Sequence, residues 1–292
     1  MAATLRAEDL QAYRGETYRL NPDRRVADIN QAVEFVNQRG FVFFWPIKDV
    51  LLPSLWVSVA GDRPVPNNHD DPGHVTWGWK DSLLGKKRWF YGKVLRKKAT
   101  IIALDTLPYF YALTQNYGSP EEDHLIQYQQ GLLSAEAKTI YDVILNEGPL
   151  DTITLRKQAR LTSSDSTSRF NRALEELQAD LKLMPVGVAQ AGAWRYAFIY
   201  DIVARHHPEI IDQTRFISDE QARRQLLQRY FQSIGAGTQR DALRLFQWRK
   251  PLFVRALDQM VEAGQIVKDV KQAGTDQSRY VLSDILQRER LP

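Results

Sequence analysis

The chain has 292 residues, of which 43% are hydrophobic and 25% are charged, a composition typical of a folded globular protein. It contains no cysteine, which excludes disulfides, thiolate metal sites and cysteine nucleophiles and favours a cytoplasmic location. No apolar run approaches the roughly 18 to 20 residues that span a bilayer, so we expect no membrane segment.

The first predicted element is a helix over ADINQAVEFVNQRG, which places apolar residues on one face and ends at Gly40. The stretch GFVFFWPIKDV follows directly. Its length excludes a membrane span, and a short apolar run between Gly40 and Pro46 is more typical of a buried strand than of a ligand-binding segment. We therefore predict that Phe43 or Phe44, together with Trp45, is buried against a helical module.

The next feature is a turn-rich loop, NNHDDPGHVTWGWKD, which holds two of the five histidines. His69, Asp70, Asp71 and His74 supply the side chains of a metal site, and a histidine can also act as an acid or base near neutral pH. The spacing matches no closed metal motif, so we expect no metal ion. General acid/base work by His74 and a purely structural loop, in which these side chains cap backbone groups, both remain open.

A basic segment follows, in which eight basic residues and one acid lie between Trp79 and Lys98, whereas the whole chain carries a net charge of only +4. Basic residues mixed with aromatic ones suit a phosphate backbone and the faces of bases, and the alternative is a solvated hairpin. The residues predicted to bind DNA here are Lys80, Lys86, Lys87, Arg88, Lys93, Arg96, Lys97 and Lys98, with Trp77 or Trp79 available to stack on a displaced base.

The middle of the chain predicts three helices and a hairpin. The helices are SAEAKTIYDVILN, a short one from Asp151 to Ala159, and DSTSRFNRALEELQADL with Asp165 as its N-cap. The strand-like runs KLMPVGV and RYAFIYD come next, which completes the order of a winged helix. On the third helix, Arg169 and Arg172 are predicted either to contact DNA or simply to solvate its polar face.

The same order returns near the C-terminus. Helices are predicted over DEQARRQLLQRYFQSIG, TQRDALRLFQW and PLFVRALDQMVEAG, and strands over QIVKDV and SRYVLSD around the turn QAGTDQ. The predicted fold is therefore α+β and mostly helical, with tandem winged helix-turn-helix modules around a basic, aromatic-rich central region. The predicted segments are an N-terminal helical module (1–60), the central region (61–133), a winged helix (134–210) and a C-terminal winged helix (211–292).

Two such modules, joined by IYDIVARHHPE and preceded by a helix that ends in glycine, resemble the AlkZ/YcaQ-like winged-helix DNA glycosylases. This bacterial family removes alkylated bases and repairs crosslinks. The resemblance covers most of the chain and is best over 135–282, through EGPLDTITLRKQARL, FNRALEELQADLKLMPVG and FVRALDQMVEAGQIV. It implies that duplex DNA, including damaged duplex, is the partner and that no cofactor is needed.

In that family a glutamine, an apolar residue and then glutamine or aspartate follow the glycine after the N-terminal helix. Here Phe43 and Trp45 stand at the two polar positions, and neither can hold a water against a sugar. We therefore expect weak or no base excision, and the alternative function is a non-enzymatic regulator or interaction scaffold. The nearest residues in sequence that can orient a water are Asp49, Asp62, His69, Asp70, Asp71 and His74, of which we predict the last four as the catalytic set.

Overall fold

The structure is a computed structural model that describes residues 4–68, 70–272 and 277–288. The fold is mixed α/β, with many short helices and small sheets. No helix within the described ranges is long and apolar enough to cross a membrane.

The helices are α1 (Ala7–Thr17), α2 (Ile29–Arg39), α3 (Leu55–Ala60), α4 (Val75–Leu83), α5 (Leu107–Tyr111), α6 (Asp123–Gln129), α7 (Ala135–Glu147), α8 (Thr152–Gln158), α9 (Thr167–Ala179), α10 (Val203–His206), α11 (Glu209–Thr214), α12 (Asp219–Ile234), α13 (Gln239–Phe246), α14 (Lys250–Glu262) and α15 (Ser283–Arg288). The strands are β1 (Thr4–Leu5), β2 (Phe41–Phe43), β3 (Phe90–Lys93), β4 (Ala99–Ile102), β5 (Leu150–Asp151), β6 (Leu183–Ala189), β7 (Ala197–Ile202), β8 (Ala236–Gly237), β9 (Ile266–Gln272) and β10 (Ser278–Leu282). Short 3-10 helices lie at Pro22–Arg24, Pro72–His74, Leu95–Lys97 and Ser164–Ser166.

The chain forms two compact units, and each is assembled from separate segments. Unit 1 contains the described residues of Met1–Thr76, Ile101–Thr106 and Asp219–Pro292, and unit 2 contains Trp77–Thr100 and Leu107–Ser218. Segment 1–60 and most of segment 211–292 therefore contribute to unit 1, segment 134–210 lies in unit 2, and the central region is divided between them.

In unit 1, helices α12, α13 and α14 are followed by the antiparallel strands β9 and β10, as the sequence predicted. The sheet has the order β1-β9-β10-β8, with β1 parallel to β9. Helix α13 begins with a capping box, in which Thr238 and Asp241 satisfy each other's backbone N–H groups. The centre of the predicted turn QAGTDQ, residues 273–276, lies outside the described residues.

Helix α2 also forms as predicted, and Asp28 caps it by accepting hydrogen bonds from the N–H groups of Asn30 and Gln31. Its buried face carries Ala32, Val33, Phe35 and Val36. Gly40 ends the helix with φ of +81°, a left-handed conformation that glycine adopts without strain.

In unit 2, helices α7, α8 and α9 precede the antiparallel hairpin of β6 and β7, and β5 pairs with β7. The core is formed by the apolar stripes of the three helices, including Ile140, Leu155, Phe170 and Leu177. One predicted detail is wrong: the N-cap of α9 is Ser166 rather than Asp165, because a 3-10 turn at Ser164–Ser166 delays the start of the α-helix.

Candidate active site and nucleic-acid interface

Strand β2 is the first component of the candidate active site in unit 1. Phe41, Val42 and Phe43 are fully buried, and Phe44 is nearly so. The ring of Phe41 meets that of Phe246 in α13 edge to face, with centroids 6.0 Å apart. The predicted burial is thus confirmed for Phe43 and Phe44, and Trp45 is partly exposed.

Three rings form a cluster at the end of β2. The ring centroids of Trp45 and Trp56 lie 5.2 Å apart, and the imidazole of His74 lies 5.8 Å from Trp45 and 5.2 Å from Trp56. Trp56 is fully buried in α3, whereas Trp45 and His74 are partly exposed. This trio, which we call the Trp–His cluster, is the place in unit 1 where the buried strand reaches solvent.

Gly73 allows the loop that carries His74 to pack closely against the ring of Trp56. A Cβ atom at this position would lie 2.6 Å from Cη2 of Trp56, which is well inside van der Waals contact. The loop then turns into the 3-10 helix Pro72–His74, and the Nε2 atom of His74 lies 3.2 Å from the carbonyl oxygen of Pro66. The absence of a side chain at residue 73 therefore positions His74 beside both tryptophans.

Asp71 caps the 3-10 helix and is held by an arginine. Its Oδ1 atom accepts hydrogen bonds from Nη2 of Arg63 at 2.6 Å and from the N–H of Gly73 at 2.8 Å. The hydrogen bond from Arg63 is the main reason that the pKa of Asp71 is lowered. The guanidinium of Arg63 also lies over the ring of Trp56, 5.1 Å from its centroid. Asp71 is therefore a structural anchor more than a free base.

Asp70 does not complete a site with His74. Asp70 is exposed, and its N–H donates to Oδ1 of Asn68. His69 lies outside the described residues. Among the residues that are described, no group of three or more histidine, aspartate or glutamate side chains is arranged to hold a metal ion.

The basic segment of unit 2 exposes most of its charges. Trp89 and Phe90 are buried and anchor the segment in the core of the unit. Its ion pairs include Lys93 with Glu175 at 2.8 Å and Lys87 with Glu209 at 3.9 Å. The cations on the surface are Lys86, Lys87, Arg88, Lys97 and Lys98, and we call them the basic patch.

Lys80 departs from the sequence prediction, because its side chain is only 2% exposed. Its ammonium lies within 6 Å of the ring centroids of Trp77, Tyr91, Tyr196 and Phe198, the nearest being 4.7 Å away. It donates to the hydroxyl of Tyr196 at 2.9 Å and pairs with Asp81 at 2.8 Å.

Burial lowers the pKa of Lys80, and the neighbouring Asp81 opposes that effect. An ammonium enclosed in this way cannot reach a phosphate. The prediction that Lys80 binds DNA is therefore wrong, and the residue holds α4 against the hairpin of β6 and β7.

The other predicted DNA contacts lie at the surface of unit 2. The ring of Trp77 is 38% exposed and lies 6.1 Å from that of Tyr196, whereas Trp79 is partly exposed. On α9, Arg169 and Arg172 are both exposed, and Arg169 forms an ion pair with Glu136 at 3.1 Å. Arg96 is partly buried in a left-handed turn.

A family model for AlkZ-related proteins matches residues 26–247 of this chain. The chain belongs to the AlkZ-related family. Its fold is similar to that of the DNA glycosylase AlkZ of Streptomyces sahachiroi, with a TM-score of 0.57 and 14% sequence identity over 99% of this chain and 72% of that chain. A comparison with curated proteins finds no match.

In this AlkZ-related chain, the residues that follow Gly40 can be compared with those that the family resemblance leads one to expect. The resemblance implies polar residues at positions 43 and 45. In this chain Phe43 supplies a fully buried phenyl ring and Trp45 a partly exposed indole at those positions. The polar atoms beside Trp45 come instead from His74, on a separate loop.

Sequence reasoning missed two members of this site in the AlkZ-related chain, Trp56 and Arg63. The run PSLWVSVAG did carry one local signal, because a serine before an apolar turn is a common N-cap, and Ser54 does accept a hydrogen bond from the N–H of Val57. No local pattern indicates that Trp56 and Arg63 meet His74 and Asp71, since those contacts depend on the closure of the loop.

Proposed function

We propose that the protein binds duplex DNA, recognises alkylated bases in it, and excises them weakly or not at all. The observation that carries this proposal is the basic patch of unit 2, five exposed cations on a segment anchored by buried Trp89 and Phe90. In a member of the AlkZ-related family, we interpret such a patch as a surface that binds the phosphates of a duplex, rather than as a hairpin whose charges only interact with solvent.

The order of elements supports the finer proposal of tandem winged helices. Three helices precede an antiparallel hairpin in each unit, as α7–α9 with β6 and β7, and as α12–α14 with β9 and β10. In such modules the third helix commonly faces the DNA. We therefore assign backbone contacts to Arg169 and Arg172 on α9, where contact by Arg169 requires exchange of its ion pair with Glu136 for a phosphate.

The chemistry of the Trp–His cluster supports weak excision. An alkylated base is already cationic and leaves with little help, yet a water must still be held against the sugar. Phe43 has no polar atom and is fully buried, and the Oδ1 atom of Asp71 is occupied by Arg63 and Gly73. Nε2 of His74 faces the carbonyl oxygen of Pro66, so a proton can be accepted only at Nδ1, which is buried, and this arrangement suits weak or absent excision. The partly exposed ring of Trp45 next to it offers a stacking surface for a displaced base.

The test has two parts. Gel shifts of plain and alkylated duplexes over a range of salt concentrations measure binding, and release of a methylated purine with abasic-site formation measures excision. We expect salt-dependent binding that favours the alkylated duplex, together with slow or undetectable release. The release that remains should fall in His74→Ala.

Robust release that survives both His74→Ala and Asp71→Asn would contradict the assignment of the site to this loop. Loss of robust release in Trp45→Ala but in neither of those variants would locate the chemistry at the end of β2. Equal binding of plain and alkylated duplexes, without release, would favour the alternative of a non-enzymatic regulator or scaffold.

A further inference from the structure

A groove of about 800 Å³ in unit 1 is unusually rich in arginine. It is bounded by α1, by the loop that follows β2, by the start of α13 and by the start of β10. Four of its lining residues are arginines and two are aspartates, so the groove carries a net positive charge: Arg14, Arg240, Arg244 and Arg279 against Asp49 and Asp241.

Part of this charge is used to build the groove. The guanidinium of Arg14 donates to the carbonyl oxygens of Ile234 and Ala236, at 2.9 and 2.8 Å. Arg244 donates to the carbonyl oxygen of Asp49 at 2.7 Å. The carboxylate of Asp241 accepts from the N–H and the hydroxyl of Thr238 in the capping box of α13. These contacts fix the walls of the groove.

The side chains of the other two arginines, Arg240 and Arg279, do not contribute to these contacts. Within 4–68, 70–272 and 277–288, the side chain of neither Arg240 nor Arg279 forms a hydrogen bond or an ion pair, and the buried Nε atom of Arg279 has no acceptor. Arg240 lies in the first turn of α13 and is exposed, whereas Arg279 lies on β10 beside an irregularity in its pairing with β9. A buried guanidinium N–H without an acceptor is unfavourable, and a bound oxyanion removes that penalty.

We infer that Arg240 and Arg279 bind a phosphate group, and that its source is the backbone of DNA. The guanidinium fork matches the oxygens of a phosphodiester, and two such forks that line one groove suit one phosphate. The inference rests on the proposed function for its source, since a free phosphate or nucleotide shares the same chemistry. It adds a contact in unit 1 to the basic patch of unit 2.

Asp49 contributes a negative charge to the same groove, which gives a second test of the inference. Its carboxylate is exposed, and its backbone has φ of +60°, a conformation that asparagine adopts well. Replacing it by asparagine therefore removes a negative charge without straining the loop. If a phosphate occupies the groove, Asp49→Asn must strengthen binding while loss of the arginines weakens it.

The experiment compares Arg240→Gln/Arg279→Gln with the wild-type chain by fluorescence anisotropy on a short duplex over a range of salt concentrations. We expect the double variant to bind about tenfold more weakly. We also expect the slope of log affinity against log salt to flatten by about 0.9 for the lost contact. Arg24→Gln is the matched control, because this exposed arginine of unit 1 lies outside the groove and only approaches Glu16 at 4.0 Å. Circular dichroism checks that each variant is folded.

The outcomes separate this inference from the proposed function. Unchanged affinity and slope in the double variant overturn it, even where Lys86→Gln/Lys87→Gln/Arg88→Gln abolishes binding and so upholds the basic patch. A wild-type chain that shows no DNA binding sinks the proposed function, and a thermal shift with inorganic phosphate that the double variant loses then assigns the groove to a free phosphate. Weaker binding by Asp49→Asn contradicts a phosphate in the groove.

Discussion

The indole of Trp45 and the imidazole of His74 lie edge to face, with their ring centroids 5.8 Å apart. The two residues come from segments with separate local signals, the apolar run after Gly40 and the loop rich in histidine and aspartate. Their contact makes these segments one site. A substitution in either segment therefore acts on the other, and the roles of the two residues need to be separated by paired variants.

Trp56 supports both members of this contact. It is fully buried, whereas Trp45 is partly exposed. We expect Trp56→Ala to lower the free energy of unfolding by about 3–5 kcal/mol, the usual loss for a buried tryptophan, and Trp45→Ala to lower it by less. Urea unfolding followed by circular dichroism measures both, with Trp56→Phe as the volume control. Equal losses at the two positions would show that Trp45 is a core residue and not an accessible surface.

The ion pair of Asp71 predicts a dependence of stability on pH. The hydrogen bond from Arg63 lowers the pKa of Asp71 in the folded protein, so the folded state binds this proton less readily than the unfolded chain does. Its stabilisation is complete above the ordinary aspartate pKa of about 3.9 and is lost as the pH falls through the lower, folded-state value.

We therefore expect Asp71→Asn to melt at a lower temperature than the wild-type protein near pH 7, and the difference to shrink at acidic pH. Thermal melts of both proteins across the acidic range measure the difference, and Asp70→Asn, at an exposed neighbour, is the control. A difference that stays constant down to the lowest pH would show that the ion pair does not stabilise the loop.

Substitutions in the basic patch and at Lys80 should have different effects on DNA binding. We expect Lys86→Gln/Lys87→Gln/Arg88→Gln to weaken duplex binding and to flatten the slope of log affinity against log salt by about 0.9 for each phosphate contact that is lost. Lys80→Met removes the same kind of charge from a buried site, so it should leave the slope unchanged. A flatter slope in Lys80→Met would place its ammonium at the DNA after all.

The burial of Lys80 has its own effect on stability. Burial lowers its pKa from the usual 10.5, so the folded state releases this proton at a lower pH than the unfolded chain does. The penalty for burying the charge is complete below the folded-state pKa and decreases as the pH rises from there toward the unfolded value.

Over that alkaline interval the free energy of unfolding of the wild-type protein should rise relative to that of Lys80→Met, which has no titrating group at this position. Denaturant unfolding at a series of pH values measures this difference. A constant difference across the interval would show that Lys80 titrates as it would in water.

Two glycines five positions apart, Gly73 and Gly78, offer a matched test of how the loop that carries His74 packs against Trp56. A methyl group at Gly73 would meet the ring of Trp56 at 2.6 Å, whereas one at Gly78 would have, apart from its chain neighbours and the nearby backbone of α4, no heavy atom within 4 Å. We expect Gly73→Ala to lower the melting temperature and to disturb His74. Gly78→Ala should raise the stability by up to about 1 kcal/mol, because alanine is the better helix former. Equal effects of the two changes would contradict the close contact with Trp56.

Local pattern was sufficient for α2, for α7 to α9 with β6 and β7, and for α12 to α14 with β9 and β10. The apolar stripe of α9 is buried at Phe170, Ala173, Leu174 and Leu177, as helical spacing requires, and the capping residues Asp28 and Asp151 start α2 and α8. These features depend on residues within one or two turns of each other, so the sequence itself specifies them. The start of α9 was misplaced because Asp165 is a typical N-cap residue, whereas α9 begins after a 3-10 turn at Ser164–Ser166, and the hydroxyl of Ser166 donates to the carbonyl oxygen of Ser163 instead of capping α9.

Sequence by itself determined the helices and hairpins of the two three-helix modules, the burial of the run from Phe41 to Phe44, and the concentration of positive charge between Trp79 and Lys98. Tertiary structure alone decided which of those charges reach solvent, because the rings that enclose Lys80 come partly from a hairpin more than a hundred positions away along the chain. It likewise brought His74 to Trp45 and gathered Arg240 and Arg279 into one groove. Periodicity records the face of an element on which a side chain lies, whereas the neighbours of that side chain depend on how distant segments pack.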